Sequence, residues 1–152
     1  MDRKKFLISI GYTFLCAPVL NTILQGCSTA HLTQNTLTED QIITIDRQVI
    51  VNNSAFAILK KGKTSYRKYV IIKHNKLQFP ICLFRTTDGE YSALLMRCTH
   101  RGCELKPEGA YLVCPCHGSE FTNKGMVINP PADQNLETFK TTTDNEKIYI
   151  HI

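Results

Sequence analysis

Neither internal repeats nor low-complexity tracts occur in this chain, and 8 glycines and 6 prolines are ordinary for its length, which excludes collagen-like, coiled-coil, solenoid and wholly disordered architectures. A large excess of one charge is also missing. The 18 Lys and Arg exceed the 13 Asp and Glu by 5, but Asp2, Arg3, Lys4 and Lys5 supply three of those cations and one acid; without them the balance is 15 against 12, or +3. No nucleic-acid footprint remains. A 3.6-residue apolar period is absent after the first 27 residues, so helix is at most minor. With 152 residues, 43% apolar and 20% charged, the chain has material for one compact core but not comfortably for two. What it has in abundance is cysteine: seven in all, four of them between Cys98 and Cys116 beside His100 and His117.

Residues 1–27 carry a cationic start at Arg3, Lys4 and Lys5, then an apolar run from Phe6 to Leu24, then Gly26 before Cys27. This reads as an export signal. The stretch Leu24-Gln25-Gly26-Cys27 resembles a bacterial lipobox, in which Cys27 receives lipid and becomes the mature amino terminus. RKKFL at Arg3 to Leu7 resembles a weakened twin-arginine signal, with Lys4 in the second arginine's place. The alternative is an uncleaved transmembrane anchor, since the run approaches the roughly 20 residues that span a bilayer. On either reading the rest of the chain is membrane-attached and faces an extracytoplasmic, oxidising, periplasm-like space. Cys16 lies within the signal. Residues 28–40 are polar and Thr-rich and are expected to form a flexible tether, leaving 41–152 as the domain.

From Ile42 onward, short runs rich in Ile, Val, Tyr and Phe alternate with turn chemistry: IITI, VIV, YVII at Tyr69 to Ile72, Phe79 to Phe84, and Ser92 to Met96. Asp88-Gly89 predicts a two-residue hairpin loop. Asn123-Lys124-Gly125 before MVI, and Asp144-Asn145 before KIYIHI, repeat the signal. The expected fold is all-β, a small antiparallel sandwich or barrel. Lys60, Lys61, Lys63, Arg67, Lys68, Lys73 and Lys76 fall in 17 residues without an acid and predict one positive rim, either a solvated hairpin face or a docking site for an anionic partner or lipid. Cys82, between Ile81 and Leu83, reads as a buried small hydrophobe.

Two short loops carry the chemistry: CTHRGC at Cys98 to Cys103 and CPCHGS at Cys114 to Ser119. Thiolates with borderline imidazoles suit either a tetrahedral zinc ion or an iron-sulfur cluster in which histidines replace two cysteines on one iron. Zinc would use four of the six Cys and His side chains and leave two thiols without a duty, whereas a mixed-ligand cluster with one disulfide uses all six. A structural zinc site or an unmetallated disulfide domain stays open on the residues alone.

With both motifs in place, residues 42–152 closely resemble the Rieske iron-sulfur family, most strongly from Phe79 to Pro131. The resemblance implies a Rieske-type β-fold with a two-loop cluster-binding subdomain and a [2Fe-2S] cluster. It implies Cys98 and Cys114 on one iron, His100 and His117 on the other, and a Cys103–Cys116 disulfide linking the loops. Ser119 matches the serine whose hydroxyl donates to a bridging sulfide, and Asn129 to Ala132 (NPPA) matches the proline-rich third loop that covers the cluster. Gly102 and Gly118 let backbone amides approach the sulfurs, and Pro115 stiffens its loop. Replacing two thiolates by neutral imidazoles removes negative charge and raises the potential; with the free histidine nitrogens facing solvent, reduction and proton uptake are coupled.

Two positions depart from the quinol-oxidising members. Phe121 stands where they often carry a tyrosine donating to a ligand sulfur, and Arg101 stands where they place a leucine. The implied function is a single-electron carrier passing electrons between redox partners such as quinol or a cytochrome, rather than an enzyme by itself. The alternatives are the Rieske subunit of a quinol-oxidising cytochrome bc-type complex, the small subunit of a periplasmic oxidase, and a cytoplasmic ferredoxin; the export signal and the cysteine pair oppose the last.

Overall fold

A computed structural model describes residues 34–86 and 89–152. The expected export signal, the lipidation candidate Cys27 and Cys16 lie outside the described residues. The strands are β1 (Thr36–Leu37), β2 (Ile43–Ile45), β3 (Gln48–Asn52), β4 (Ala57–Lys60), β5 (Lys63–Tyr66), β6 (Tyr69–Ile72), β7 (Ile81–Arg85), β8 (Tyr91–Leu95), β9 (Lys106–Glu108), β10 (Tyr111–Val113), β11 (Glu120–Thr122), β12 (Val127–Asn129), β13 (Thr138–Thr143) and β14 (Lys147–His151). Two 3-10 turns, Glu39–Gln41 and Asn53–Phe56, interrupt them. The fold is nearly all-β, as the runs of β-branched residues require.

The strands form an eight-stranded sheet in the order β1-β6-β7-β8-β13-β14-β3-β2, curled into a half-barrel, a four-stranded sheet β12-β11-β10-β9, and a separate β4-β5 ribbon. Strand β14 alternates: Ile148 and Ile150 are fully buried while Lys147, Tyr149 and His151 are half-buried, the period of two of a sheet with one face on the core. Val49, Val51, Val70, Ile72, Ile81, Leu83, Ile148 and Ile150 form that core with Phe56. In β6 and most of β7 every residue is buried, including Cys82, which is 0% exposed and takes the place of a small apolar side chain. Burial pushes the Cys82 thiol well up, so it is neutral and inert.

The expected tether is shorter than its composition suggests. Thr36 and Leu37 pair in parallel with Ile71 and Ile72, and the Ile71 N–H donates to the Asn35 carbonyl, so the folded unit starts at Asn35. Polar side chains did not prevent this, because an edge strand needs only its backbone groups to pair. Buried His74 helps hold the segment. Its Nδ1 accepts the Lys76 N–H at 3.3 Å, so Nε2 carries the proton and donates to Thr44 Oγ1 at 3.1 Å. The Asn75 N–H donates to the Glu39 carboxylate at 2.6 Å.

The β7–β8 connection is also longer than the two residues expected. The Gly89 N–H donates to the Thr86 carbonyl and the Thr86 N–H to the Glu90 carbonyl, the bonding of a three-residue loop closed by a left-handed glycine; Asp88 lies outside the described residues. The same two bonds recur in the Asn123-Lys124-Gly125 loop, from Gly125 to Thr122 and from Thr122 to Met126. At Asp144 the carboxylate accepts the Glu146 and Lys147 N–H groups and the Tyr149 hydroxyl, and these bonds, the tyrosine first, hold its carboxyl below the usual range.

Because Ile150 is 0% exposed and paired between β13 and β3, Ile150→Ala should lower unfolding free energy by about 2–5 kcal/mol. The shift of the urea midpoint at unchanged slope measures it.

Candidate metal centre

The four-stranded sheet and its loops are inserted between β8 and β13. Both loops close in the same way. The Cys98 N–H donates to the Cys103 carbonyl at 2.8 Å and the Gly102 N–H to the Cys98 carbonyl at 2.8 Å; the Cys114 N–H donates to the Ser119 carbonyl at 2.8 Å and the Gly118 N–H to the Cys114 carbonyl at 3.0 Å. Each loop therefore runs from a cysteine to a residue five places on, with a glycine in the fifth position. Gly102 and Gly118 have φ of +72° and +79°. That left-handed conformation, which turns the glycine N–H back on the cysteine carbonyl, is the reason for glycine that the structure itself supplies.

Cys98 and Cys114 are each 2% exposed, and the two thiols interact with one another. Burial pushes the Cys98 thiol up and the Cys114 thiol adds to the rise, while the backbone N–H groups of His100 and Arg101 donate to the sulfur and oppose it. A metal binds cysteine as the thiolate, so a metal held here would displace the thiol protons. The His100 and His117 rings lie edge to face with centroids 5.0 Å apart. Nδ1 of His100 is buried without a hydrogen-bond partner among the protein groups. An orphaned ring nitrogen against a second imidazole, in loops that also carry two buried thiols, fits a metal-binding donor set.

Cys103 and Cys116 are joined as a disulfide, the pairing that the resemblance implied. Their Sγ atoms and that of Cys114 lie within 4.8 Å of one another, so the bridge abuts a candidate ligand. A disulfide sulfur is no thiolate, and only Cys98 and Cys114 remain as thiol donors in the loops.

A third segment lies over the loops. Ser119 is 0% exposed, and its hydroxyl oxygen accepts the Ala132 N–H at 3.0 Å, which leaves its own O–H free to donate elsewhere. The Asn129 amide donates to the Gly118 carbonyl at 3.3 Å. Thr99, a first-loop residue outside the candidate ligand positions, donates from Oγ1 to the Gln134 carbonyl at 2.7 Å. A threonine whose partner is 35 residues away leaves no local signal. Phe121 is fully buried opposite Leu112, and Arg101 is exposed. A cavity of about 290 Å³ beside the first loop is lined by Arg97, Cys98, His100, Arg101 and Glu137, among others.

A sequence model of the Rieske [2Fe-2S] domain matches residues 35–140, more than half of the chain. The chain belongs to the Rieske [2Fe-2S] family. It is 30% identical over 99 residues to the cytochrome b6-f complex iron-sulfur subunit of Trichodesmium erythraeum, which covers 64% of this chain and 49% of that subunit. With the same subunit of Chlorobaculum tepidum it shares 33% over 66 residues, 42% of this chain and 36% of that one. The chain thus spans about half the length of these curated relatives, or less. The crystal structure of the plasma membrane Rieske protein of the cyanobacterium Synechocystis matches with a TM-score of 0.50 and 30% identity, over 56% of this chain and 87% of that one. The family's cofactor is a [2Fe-2S] cluster, and the thiol and imidazole donors of this Rieske protein fit it.

Removing the bridge in the Cys103→Ser/Cys116→Ser variant deletes a crosslink over a separation of 13 residues and should cost about 2–4 kcal/mol, with a cluster that is lost more readily. Ser119→Ala should leave the Ala132 N–H without its partner, cost about 1–3 kcal/mol and lower the reduction potential. Denaturant titration with voltammetry of each variant measures both effects.

Proposed function

We propose that this Rieske electron-transfer protein is a single-electron carrier attached to the extracytoplasmic face of a membrane, with Cys98 and Cys114 on one iron and His100 and His117 on the other. The observation that supports the ligand set is the identical backbone closure of two loops that carry two buried thiols and two imidazole rings 5.0 Å apart. When bound, the cluster takes up and releases one electron at a time.

Each side chain then has a task. Cys98 receives the amide N–H groups of His100 and Arg101, which favour added negative charge at its sulfur. Ser119 ties the third segment down through Ala132 and keeps its O–H available. His117 is exposed, so its ring edge is open to a redox partner, whereas His100 is half-buried. The disulfide holds the loops together without using a ligand. The extracytoplasmic setting is supported by the export-signal features of residues 1–27 and by that disulfide, which persists in oxidising compartments. Cys27 would carry the lipid. The partner is a separate redox protein, and the chain acts as one component of an oxidoreductase system.

A second reading is the Rieske subunit of a quinol-oxidising complex, favoured by the cytochrome b6-f subunits among the relatives. Phe121 without a hydroxyl and a charged, exposed Arg101 beside the ligand loop favour the carrier instead.

Purified protein should contain iron and acid-labile sulfide, and its reduced form should give the electron paramagnetic resonance signature of mixed histidine and cysteine ligation; zinc without sulfide would refute the reading. His117→Ala and Cys114→Ser should each abolish that signal. Phe121→Tyr should raise the potential by adding a donor near a ligand sulfur, and an unchanged value would mean that the ring points away from it. Quinol oxidation in membranes with and without the chain separates the two readings.

A further inference from the structure

The β4-β5 ribbon has no role in the fold's main sheet or in the metal centre. Its two strands pair only with each other among the named strands. At its tip Lys60 lies directly opposite Lys63, and Lys61 sits in the turn with φ +49°. Like charges facing across a ladder and a non-glycine residue in the left-handed region both disfavour the folded hairpin. Leu59 is 76% exposed and Tyr66 56% exposed on the same ribbon. From Lys60 to Lys68 the ribbon and its exit carry five cations, Lys60, Lys61, Lys63, Arg67 and Lys68, and no acid. A cationic tip with projecting apolar side chains matches an anionic lipid surface, where headgroups neutralise the lysines and the aliphatic and aromatic groups enter the interface.

The strand register fixes which end of the domain this ribbon occupies. Tyr69 pairs with Phe84, and Arg85 with Tyr91, at one end of β6, β7 and β8; Ile72 pairs with Ile81, and Ile81 with Leu95, at the other. The ribbon joins the first end. Tyr66 leads through Lys68 into Tyr69, the Arg85 guanidinium stacks 4.5 Å from the Tyr66 ring, and Arg67 Nη1 donates to the Ala55 and Ala57 carbonyls. The metal loops leave from the second end, after Leu95, and the chain returns there where the Leu95 N–H donates to the Glu137 carbonyl. Four to five strand residues separate the ends by about 15 Å. Strand β1 runs parallel to β6, so Asn35, where the folded unit starts, lies on the side of Thr36 that faces the ribbon's end. Among the described residues the acids at that end, Glu90, Asp144 and Glu146, belong to the sheet's loops and not to the ribbon.

We infer that the β4-β5 ribbon, through Leu59, Lys60, Lys61 and Lys63, docks the domain on an anionic phospholipid surface, so that the metal loops point away from the membrane toward their partner. The orientation rests on the proposed membrane attachment, while the lipid contact stands on the ribbon's own chemistry.

The test uses the full chain with its cluster, mixed with vesicles of phosphatidylcholine alone or of equal parts phosphatidylcholine and phosphatidylglycerol. Amide hydrogen exchange is followed in residues 57–66 and in both metal loops. Phosphatidylglycerol should slow exchange in 57–66 and leave the loops unchanged, and high salt should reverse the effect. Lys60→Gln/Lys61→Gln/Lys63→Gln should abolish this protection with the paramagnetic signal intact, the loss in surface partitioning being roughly a hundredfold for three lysines. No protection of 57–66 on phosphatidylglycerol, or protection of the metal loops instead, overturns the inference. Flotation with phosphatidylcholine alone reports the attachment separately: a chain that does not float there refutes attachment and the orientation built on it, while ribbon protection on phosphatidylglycerol still decides the lipid contact.

Discussion

Everything at the tip of this domain depends on a five-residue backbone closure, used twice. In each loop the cysteine amide donates forward to the residue five places on, and its carbonyl receives the glycine amide four places on. With both ends of the turn satisfied in this way, the His100 and Arg101 amides of the first loop favour negative charge at the Cys98 sulfur. The frames match but the donors are staggered. Histidine is third in the first loop and fourth in the second, and the bridging cysteine is sixth in the first and third in the second. The staggering lets one frame present a thiol and an imidazole in each loop while the spare thiols meet across the gap.

That geometry also weighs the two departures from the quinol-oxidising pattern. Arg101 is exposed, so water and salt screen its charge, and its upward pull on the potential is weak. Phe121 is fully buried, where a missing hydrogen-bond donor is felt at full strength in a low-dielectric site. Where the Phe121 ring faces a ligand sulfur, the balance favours a potential below that of a tyrosine-bearing homologue.

The legible parts of the sequence were those governed by local rules. IITI, VIV, YVII and KIYIHI announced β2, β3, β6 and β14 because β-branched runs have little alternative, and the paired CTHRGC and CPCHGS loops announced the centre. The missed strands break those rules for identifiable reasons. Strand β9 contains Pro107, tolerated because β9 is the edge of its sheet. Strand β13, TFKTTT, is mostly polar because much of it is exposed or half-buried. Strand β1 lies in a polar stretch and exists through backbone pairing with β6. Ser119 was legible by its place in a motif, whereas Thr99 needed the third segment to be folded back over the loops before its hydroxyl had a partner.

The cluster-bearing subdomain has little stability of its own. Its strands are three residues long, and its core is Met96, Leu105, Leu112, Phe121, Ala132 and Leu136 with the two thiols. Segments of about 40 residues rarely fold alone without a disulfide or a metal. This one draws on both, and on the larger sheet, where the Met96 N–H donates to the Pro80 carbonyl and a Cβ added at Gly125 would meet Leu94 at 3.1 Å. The dependence runs one way. The half-barrel buries its own continuous apolar core and holds Leu95 and Thr138 in adjacent strands, which fixes both ends of the insertion. The bridge and the metal then order what lies between, so losing the metal should loosen the loops long before it unfolds the sheet.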